Sequence, residues 1–411
     1  MSSTNFAFNV LLVVPCLAVA LFLMRSRLAK NELWRATLTP LSSIIGSGFL
    51  IMAPLLASVV GVLSPVAILG VVLLAYAIGH VIRFNIVHVE PRLADGNLCT
   101  GTRKIEYLGG VVLAMAYVVA VAFYLSLLSS FLLDYLGVSS ANLERALTTA
   151  MILFIAVVGY LRGLGGLERL ESFSITIQLA VIASLVTGLA VYAIGFPPGE
   201  IRFDYPERSA LTRIHILAGA LLVVQGFETS RFLGDRYSRE IRVASMRNAQ
   251  IISGILYVVT VVLLMPVVQH MDLVHLRLSG IIDAMHPVAL VLPVMLMVAA
   301  VMSQFSAAVA DLGGGGGLLR ENSHGRLSSR IGYISVAACA IVLVWAVDLL
   351  EIITLASRAF AAYYLLQTLL AIIYNRKDCP PTARMTIINE GLFVSLALVL
   401  AYIVVFSIPA G

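Results

Sequence analysis

The chain has 411 residues, of which 60% are hydrophobic and only 12% are charged, and its mean hydropathy is +0.99. Soluble domains carry about 25% charged and about 45–50% apolar residues. The composition therefore excludes a soluble globular protein, a disordered chain and a nucleic-acid-binding domain, although the net charge is +5. We predict an all-α polytopic membrane protein whose surroundings are the lipid bilayer.

Twelve apolar runs are long enough to be membrane helices, because about 20 apolar residues cross roughly 30 Å of hydrocarbon. Runs such as VVLLAYAIG do not alternate apolar and polar residues, as the strands of a membrane β-barrel do. The predicted spans are, to within several residues, 7–24, 38–60, 62–84, 106–136, 143–161, 171–195, 210–232, 247–269, 287–310, 331–348, 350–374 and 386–408.

Basic residues predict the orientation of these spans. Of the 27 lysines and arginines, 21 lie in the connections on one side of the predicted bundle and 5 on the other. Basic connections are retained in the cytoplasm, so we expect both termini outside a plasma (inner) membrane. The first run has no positive charge before it, which favours an uncleaved helix over a signal peptide.

Two predicted spans are interrupted near their middle by glycine and polar residues. The interruption in the second span consists of Ile45, Gly46, Ser47 and Gly48. The interruption in the seventh span consists of Gln225, Gly226, Phe227 and Glu228. A break in a membrane helix is tolerated where it is buried in protein or lines a cavity. The alternative is that these glycines only allow close helix packing.

The positions of the two interruptions favour a transport site. Counting from residue 38, five spans precede an external loop and five more, in the opposite orientation, follow it to about residue 374, so that each interruption lies in the first helix of its half. Paired interrupted helices in inverted repeats indicate a binding site at the membrane midplane. The predicted organisation is an extra N-terminal helix with a basic loop (1–36), a first inverted repeat (37–196), an external loop (197–209), a second inverted repeat (210–376) and a C-terminal helix (377–411).

Several stretches resemble the amino acid–polyamine–organocation (APC) superfamily of secondary transporters. TPLSSIIGSGFLIMAPLL resembles its first core helix, with a G-S-G segment, and LVVQGFETSRFLGDRYSREIRVASMRNAQIISGILYVV is similar to its sixth, with a G-F-E signature. EPRLADGN is similar to the exit of its second core helix. The resemblance implies the leucine-transporter fold, a five-plus-five inverted repeat that works by alternating access. The chain departs from the family in the loop after the seventh span, where Asp235-Arg236 and REIRVAS replace an acidic pair and a proline-rich turn.

Substrate contacts are predicted at both interruptions. Unwinding at residues 45–48 exposes amides that can bind a carboxylate and carbonyls that can bind an ammonium or a cation. The resemblance places residues 225–228 across the same cavity, with Phe227 as an aromatic lid. Tyr124 is a further candidate substrate contact, and packing is its alternative explanation.

Glu228 is a candidate for proton coupling as well as for substrate binding. A carboxylate in a membrane span is expensive and is a functional hypothesis by default. Burial favours its protonated form, which suits a proton carrier or a gate latch. The alternative is a structural ion pair with Arg231 at i+3.

Other coupling and gating residues are suggested by the resemblance. Sodium sites in this fold use carbonyls of the first core helix and hydroxyls of the eighth, which points to Ser303 and Ser306. Hydrogen bonds to the helix backbone are their alternative role. Gln178 stands where some proton-coupled members have a lysine. Arg358 is a candidate gate, or a side chain that extends outwards to Asp348 or Glu351.

The predicted function is secondary active transport of a small amino acid, amine or related organic solute, coupled to a proton or sodium gradient or to exchange. A transporter-like sensor or receptor is the alternative. An enzyme is not expected, because no converging catalytic groups appear in the spans. No cofactor is expected beyond Na⁺ or H⁺ as the coupling ion, and no metal site beyond one for sodium. A homo-oligomer is left open, and the five glycines at 313–317 suggest either a hinge or a close helix approach.

Overall fold

The computed structural model describes most of the chain. The described residues are 3–25, 27–46, 48–96, 98–138, 140–196, 201–203, 206–273, 280–323, 325–347, 349–377 and 387–407. Ser47, one of the predicted substrate contacts, lies outside them.

The described residues are mostly helical and include no strand, as the composition predicts. Its α-helices are α1 (Ser3–Arg25), α2 (Glu32–Ile44), α3 (Gly48–Val60), α4 (Ser64–Phe84), α5 (Glu90–Ala94), α6 (Thr100–Tyr135), α7 (Ala141–Arg162), α8 (Leu164–Ala193), α9 (Ala210–Gly219), α10 (Arg239–Val268), α11 (Gly280–Asp283), α12 (Leu292–Asn322), α13 (Ser329–Ala346), α14 (Leu349–Lys377) and α15 (Ile387–Phe406). Short 3₁₀ turns occupy Arg27–Lys30, Gly61–Leu63, Ala220–Val224 and Phe227–Phe232, and a π-helical turn occupies Asn85–Val89.

Eight helical segments of the described chain are long and apolar enough to cross a membrane. They are Ile51–Leu93, Thr100–Tyr135, Ala141–Arg162, Leu164–Ile194, Arg239–Val268, Leu292–Asn322, Ser329–Ala346 and Asn389–Phe406. The first of them bends at Gly61, whose φ is 55°, and contains parts of two predicted spans. The number of twelve spans stays a prediction.

The centre of the bundle is built around α6, α12, α8 and α2. Helix α12 packs against α6, α8 and α13, while α2 packs against α8, α10 and α12. Helix α1 lies against α8, and α15 lies against α14. The interrupted helix α2 is therefore enclosed by other helices on several sides, which is where unpaired backbone can be tolerated.

The five glycines at 313–317 lie inside α12, which runs through them without a break. A Cβ at Gly316 would overlap the Tyr333 ring, and a Cβ at Gly317 would overlap the Phe232 carbonyl. Gly314 packs against the ring of Tyr117. Of the two interpretations of this segment, the geometry therefore supports close helix approach.

Candidate substrate and coupling site

The first interruption separates α2 from α3. Helix α2 ends at Ile44, and Ile45 leaves the helical conformation with φ −80° and ψ 22°. Gly48, which begins α3, lies so close to Val223 that any Cβ would overlap that side chain. Position 48 therefore requires glycine, because Val223 of the other interrupted helix leaves no room for a side chain.

Side chains from three other helices satisfy the carbonyls that this interruption frees. Gln178 of α8 donates its amide Nε2 to the Ile45 carbonyl at 2.6 Å. Ser303 of α12 lies 2.8 Å from the Ile45 carbonyl and 2.6 Å from the Gly46 carbonyl. Tyr257 of α10 donates to the Ile44 carbonyl at 2.8 Å. Because buried carbonyls need such partners, these contacts make the break a stable part of the fold.

The second interruption follows α9 and its 3₁₀ extension. The chain is non-helical at Gln225 and Gly226, and Gly226 has φ 113°. A residue with a Cβ rarely adopts this φ. The same Cβ would overlap the side chain of Ser43 on α2. Both backbone conformation and available space therefore require glycine at position 226.

The two interruptions are in direct contact. The Tyr257 hydroxyl lies 2.8 Å from the Ile44 carbonyl and 3.0 Å from the Val223 carbonyl, so it joins the ends of both broken helices. Ser43 of α2 lies directly against Gly226. The structure thus brings together the two segments that the sequence singles out 180 residues apart.

Glu228 is fully buried beside the second interruption. Its Oε2 accepts the Gly226 N–H at 3.0 Å and the Tyr364 hydroxyl at 2.7 Å. No described residue provides a hydrogen-bond partner for its Oε1. The alternative of an ion pair with Arg231 is wrong, because Arg231 pairs with Glu90 and Glu106 instead.

Gln225, Phe227 and Tyr124 surround Glu228. The Gln225 amide Nε2 donates to the Tyr124 hydroxyl at 2.9 Å, while Gln225 Oε1 has no partner. Phe227 is buried and stacks on Tyr364, with ring centroids 5.3 Å apart and an interplanar angle of 13°. Tyr124 therefore contacts the second interruption in addition to packing in the core.

Asp311 belongs to the same site and was not predicted. Ser43 donates its hydroxyl to Asp311 Oδ1 at 2.7 Å, and Asp311 Oδ2 is buried without a partner. Its span was predicted to end at residue 310, which left Asp311 in a loop, whereas α12 continues to Asn322. A carboxylate one residue beyond an apolar run was the signal that could have identified it.

Two predicted residues lie apart from this constellation. Ser306 donates to the Ser303 carbonyl of its own helix at 3.0 Å, which matches the backbone-bonded alternative. Arg358 is exposed on α14, in contrast to the buried Phe360 and Tyr364 of the same helix. Asp348, one of its suggested partners, lies outside the described residues.

A cavity of about 870 Å³ opens on the end of the bundle that carries most of the basic residues, which we call the basic face. Its charged lining consists of Glu90, Arg103, Lys104, Glu106, Arg231, Asp235, Arg242, Arg320 and Glu321. Arg231 is only 1% exposed and also donates to Gln367 Oε1 at 2.7 Å. Arg231 lines this cavity and lies three residues after Glu228. The cavity therefore extends from the basic face towards the buried site.

Comparisons with known proteins agree with this architecture. A family model described as APC superfamily transporter matches residues 26–407. An uncharacterized protein of Aquifex aeolicus (strain VF5) is 41% identical over 396 residues, which are 94% of each chain.

Two solved structures share the fold at low sequence identity. A manganese transporter of Eremococcus coleocola is 13% identical with a TM-score of 0.56, over 90% of this chain and 85% of that one. A Na⁺-coupled sialic acid symporter is 13% identical with a TM-score of 0.54, over 98% and 96% of the two chains. Identities this low support the leucine-transporter fold and leave the cargo open.

Proposed function

Since the chain belongs to the APC superfamily of transporters, we propose that it moves a small amine-bearing solute, such as an amino acid, across the membrane by alternating access. The cargo would bind between the two interruptions, at residues 45–48 and 225–228. Tyr124 would form one wall of the site. Phe227 would act as the aromatic lid, and Arg358 would close the opposite side.

One observation carries the choice of cargo. Gln225 Oε1 and Glu228 Oε1 are both buried, and no hydrogen-bond partner for either is found among the described residues. Each unpaired buried acceptor costs about 1–3 kcal/mol, so a cargo that donates hydrogen bonds would be stabilised there. An ammonium group has three donors and no acceptor. The amides at the start of α3 would bind a carboxylate on the same molecule, which is why an amino acid suits the site.

The hydrogen bonds at the first interruption support a proton as the coupling ion. Gln178 and Ser303 already satisfy the Ile45 and Gly46 carbonyls that a sodium ion would need. A sodium ion at this place would have to displace those donors. Glu228, by contrast, is a buried carboxyl whose Oε1 can hold in turn a proton and the cargo ammonium, since the described residues leave it without another partner. We therefore propose Glu228 as the proton carrier, with the basic face in the cytoplasm.

Uptake into vesicles tests this proposal. Purified protein in liposomes would be offered a panel of radiolabelled amino acids and amines, together with matched carboxylic acids that lack the amine. Because proton and ammonium would alternate at Glu228, we expect accumulation of at least one amine-bearing compound, driven by an outward proton gradient and indifferent to replacement of Na⁺ by K⁺. Glu228→Gln should abolish accumulation, whereas Glu240→Gln, at an exposed position, should leave it unchanged.

Two outcomes would contradict parts of the proposal. Uptake that requires Na⁺ and is lost in Ser303→Ala would replace the proton by sodium. A ligand that raises the melting temperature of the protein but never accumulates would favour a sensor over a transporter. Ser306→Ala is the control for Ser303→Ala, because Ser306 bonds only its own helix backbone.

A further inference from the structure

Three residues on one side of α2 each donate a hydrogen bond to a carboxylate of another helix. Arg35 donates to Glu168 at 3.0 Å, and Thr39 donates to Glu171 at 2.5 Å. Ser43 donates to Asp311 at 2.7 Å. Positions 35, 39 and 43 are one helical turn apart, so the three carboxylates are spread over about 12 Å of α2 at 1.5 Å per residue.

The outermost of these carboxylates is compensated by positive charge. Glu168 forms ion pairs with Arg35 and Arg236, whose side chains are 41% and 34% exposed at the basic face. Tyr237 also donates to Glu168 at 2.9 Å. Burial and the Glu168 carboxylate raise the pKa of Tyr237, so this hydroxyl remains a donor. Glu168 therefore marks an entry point that is in contact with solvent.

The inner carboxyls have no such compensation. Glu171 and Asp311 are buried, and no ion pair involving either of them is found in the described part of the chain. Within the described ranges, neither Glu171 Oε1 nor Asp311 Oδ2 has a hydrogen-bond partner. Burying an unpaired charge is so costly that such a group is expected to be a neutral carboxylic acid. Each inner carboxyl can thus both give up and accept a proton.

We propose that Glu168, Glu171, Asp311 and Glu228 form a proton relay, the acid ladder, that connects the buried site with the basic face. Thr39 and Ser43 hold the two inner acids in place. The inference deepens the proposed function, on which it rests only for the coupling of Glu228 to cargo. Its new content is the role of Glu171 and Asp311, which lie on α8 and α12.

The order of the ladder follows from the contacts. Glu168 and Glu171 are one turn apart on α8. Thr39 and Ser43, which donate to Glu171 and Asp311, are one helical turn apart on α2, about 6 Å along its axis. Ser43 touches both Asp311 and Gly226, and the Gly226 N–H donates to Glu228. The acids therefore follow one another along α2 from Arg35 towards Glu228.

Each step of the relay moves one proton and conserves charge. A neutral acid loses its proton and becomes a carboxylate, and the neighbouring carboxylate gains that proton and becomes neutral. The hydroxyls of Ser42 and Ser174 are buried, and no hydrogen-bond partner for either is found in the part of the chain that the structure describes. These residues precede Ser43 and follow Glu171 by one turn, and a water molecule bound to them would bridge a gap between two acids.

The groups that face the inner acids are themselves mostly neutral or acidic. Thr39, Glu168, Asp311 and Tyr333 face Glu171. The groups that face Asp311 are Ser43, Glu228, Tyr117 and Tyr124. None of these neighbours is a cation, so none of them stabilises Glu171 or Asp311 as a carboxylate through an ion pair.

Infrared spectroscopy of the purified full-length protein tests the relay without knowledge of the cargo. Neutral carboxylic acids have a carbonyl stretching band that is separate from that of carboxylates and that shifts when the acid proton is replaced by deuterium. Asp311→Asn and Glu171→Gln should each remove one neutral-acid band. The rate at which the Asp311 band shifts after transfer into D₂O then reports proton exchange along the ladder.

The expected result is a specific slowing of exchange. Thr39→Val and Glu171→Gln should each slow the shift of the Asp311 band about tenfold, which corresponds to about 1.4 kcal/mol in the barrier. Thr37→Val is the matched control, because Thr37 is equally buried on the same helix but bonds only the Leu33 carbonyl. Glu171→Gln keeps an acceptor for Thr39, so it interrupts the relay even if Thr39→Val fails to fold.

The relay is overturned if the neutral-acid bands are absent, or if Asp311 exchanges at the wild-type rate in both ladder variants. Failure of the proposed function has a different signature. If exchange is slowed in the variants but no amine is taken up, the relay is supported and the proposed amine transport is contradicted. If an amine is taken up but exchange in the variants is unchanged, the proposed transport is supported and the relay is contradicted.

Discussion

Two buried groups of charged residues in this protein are built on opposite principles. In the arginine cluster, which we define as Arg231, Glu90, Glu106 and Gln367, the buried Arg231 lies among two carboxylates and an amide, and Arg242 also pairs with Glu90. In the acid ladder, Glu171, Asp311 and Glu228 accept hydrogen bonds from hydroxyls and from one backbone amide. Removal of one member of a paired cluster is costly, because it leaves its partners as buried charges without compensation. Neutral acids, by contrast, can exchange protons at little cost in free energy.

The largest effect is expected from breaking the arginine cluster. Arg231→Met leaves Glu90 and Glu106 without this buried cation, and the loss of one partner of a buried pair costs about 3–5 kcal/mol. The melting temperature in detergent should fall sharply compared with Arg326→Met, which removes an exposed arginine. Equal melting temperatures of the two variants would show that the arginine cluster does not contribute to stability.

A smaller loss is expected at the second interruption. Gly226→Ala forces a side chain into a backbone conformation with φ 113° and against Ser43, and such strain costs about 1–3 kcal/mol. Gly391→Ala is the control, because a Cβ there meets no atom within 4 Å. A melting temperature of Gly226→Ala at or above that of Gly391→Ala would contradict the requirement for glycine at position 226.

Tyr257→Phe tests the contact between the two interruptions. The change removes the hydroxyl that joins the Ile44 and Val223 carbonyls, and each unpaired buried acceptor costs about 1–3 kcal/mol. Tyr117→Phe is the matched control, because the Tyr117 hydroxyl is buried without a partner. If both variants lose the same stability, the Tyr257 hydroxyl is not what joins the broken helices.

The smallest effect on stability is expected in the acid ladder. Asp311→Asn replaces a neutral acid by a neutral amide of the same shape that still accepts the Ser43 hydroxyl, so we expect a change below about 1 kcal/mol. Unfolding in detergent would measure it beside Arg231→Met. A loss as large as that of Arg231→Met would mean that Asp311 is held as a charge, and the contrast between the two regions would disappear.

The sequence predicts where two helices break, and it misses two of the buried acids beside these breaks for a definite reason. Gly46, Gly48, Gln225 and Gly226 are found at the interruptions, because glycines within an apolar run can be recognised locally. Asp311 and Glu171 were placed at the ends of predicted spans, since hydropathy assigns a charged residue to a boundary, but α12 and α8 continue past them.

The sequence also does not distinguish residues whose contacts depend on how the helices pack. Ser303 and Ser306 are three residues apart and equivalent by pattern, yet only Ser303 contacts the interruption. Tyr257 and Tyr364 have no motif, and they enter the site only through the packing of α10 and α14. The roles of such residues depend on which helix lies opposite.

The amino-acid sequence by itself determined that this chain resides in a membrane and where two of its helices break. Both follow from local chemistry, because lipid cannot hydrogen-bond a backbone and glycine adopts conformations that other residues avoid. The tertiary structure alone decided which buried polar atoms meet. Ser43 and Asp311 are 268 residues apart in the chain, and no local pattern encodes the contact between two atoms that are brought together only when distant helices pack.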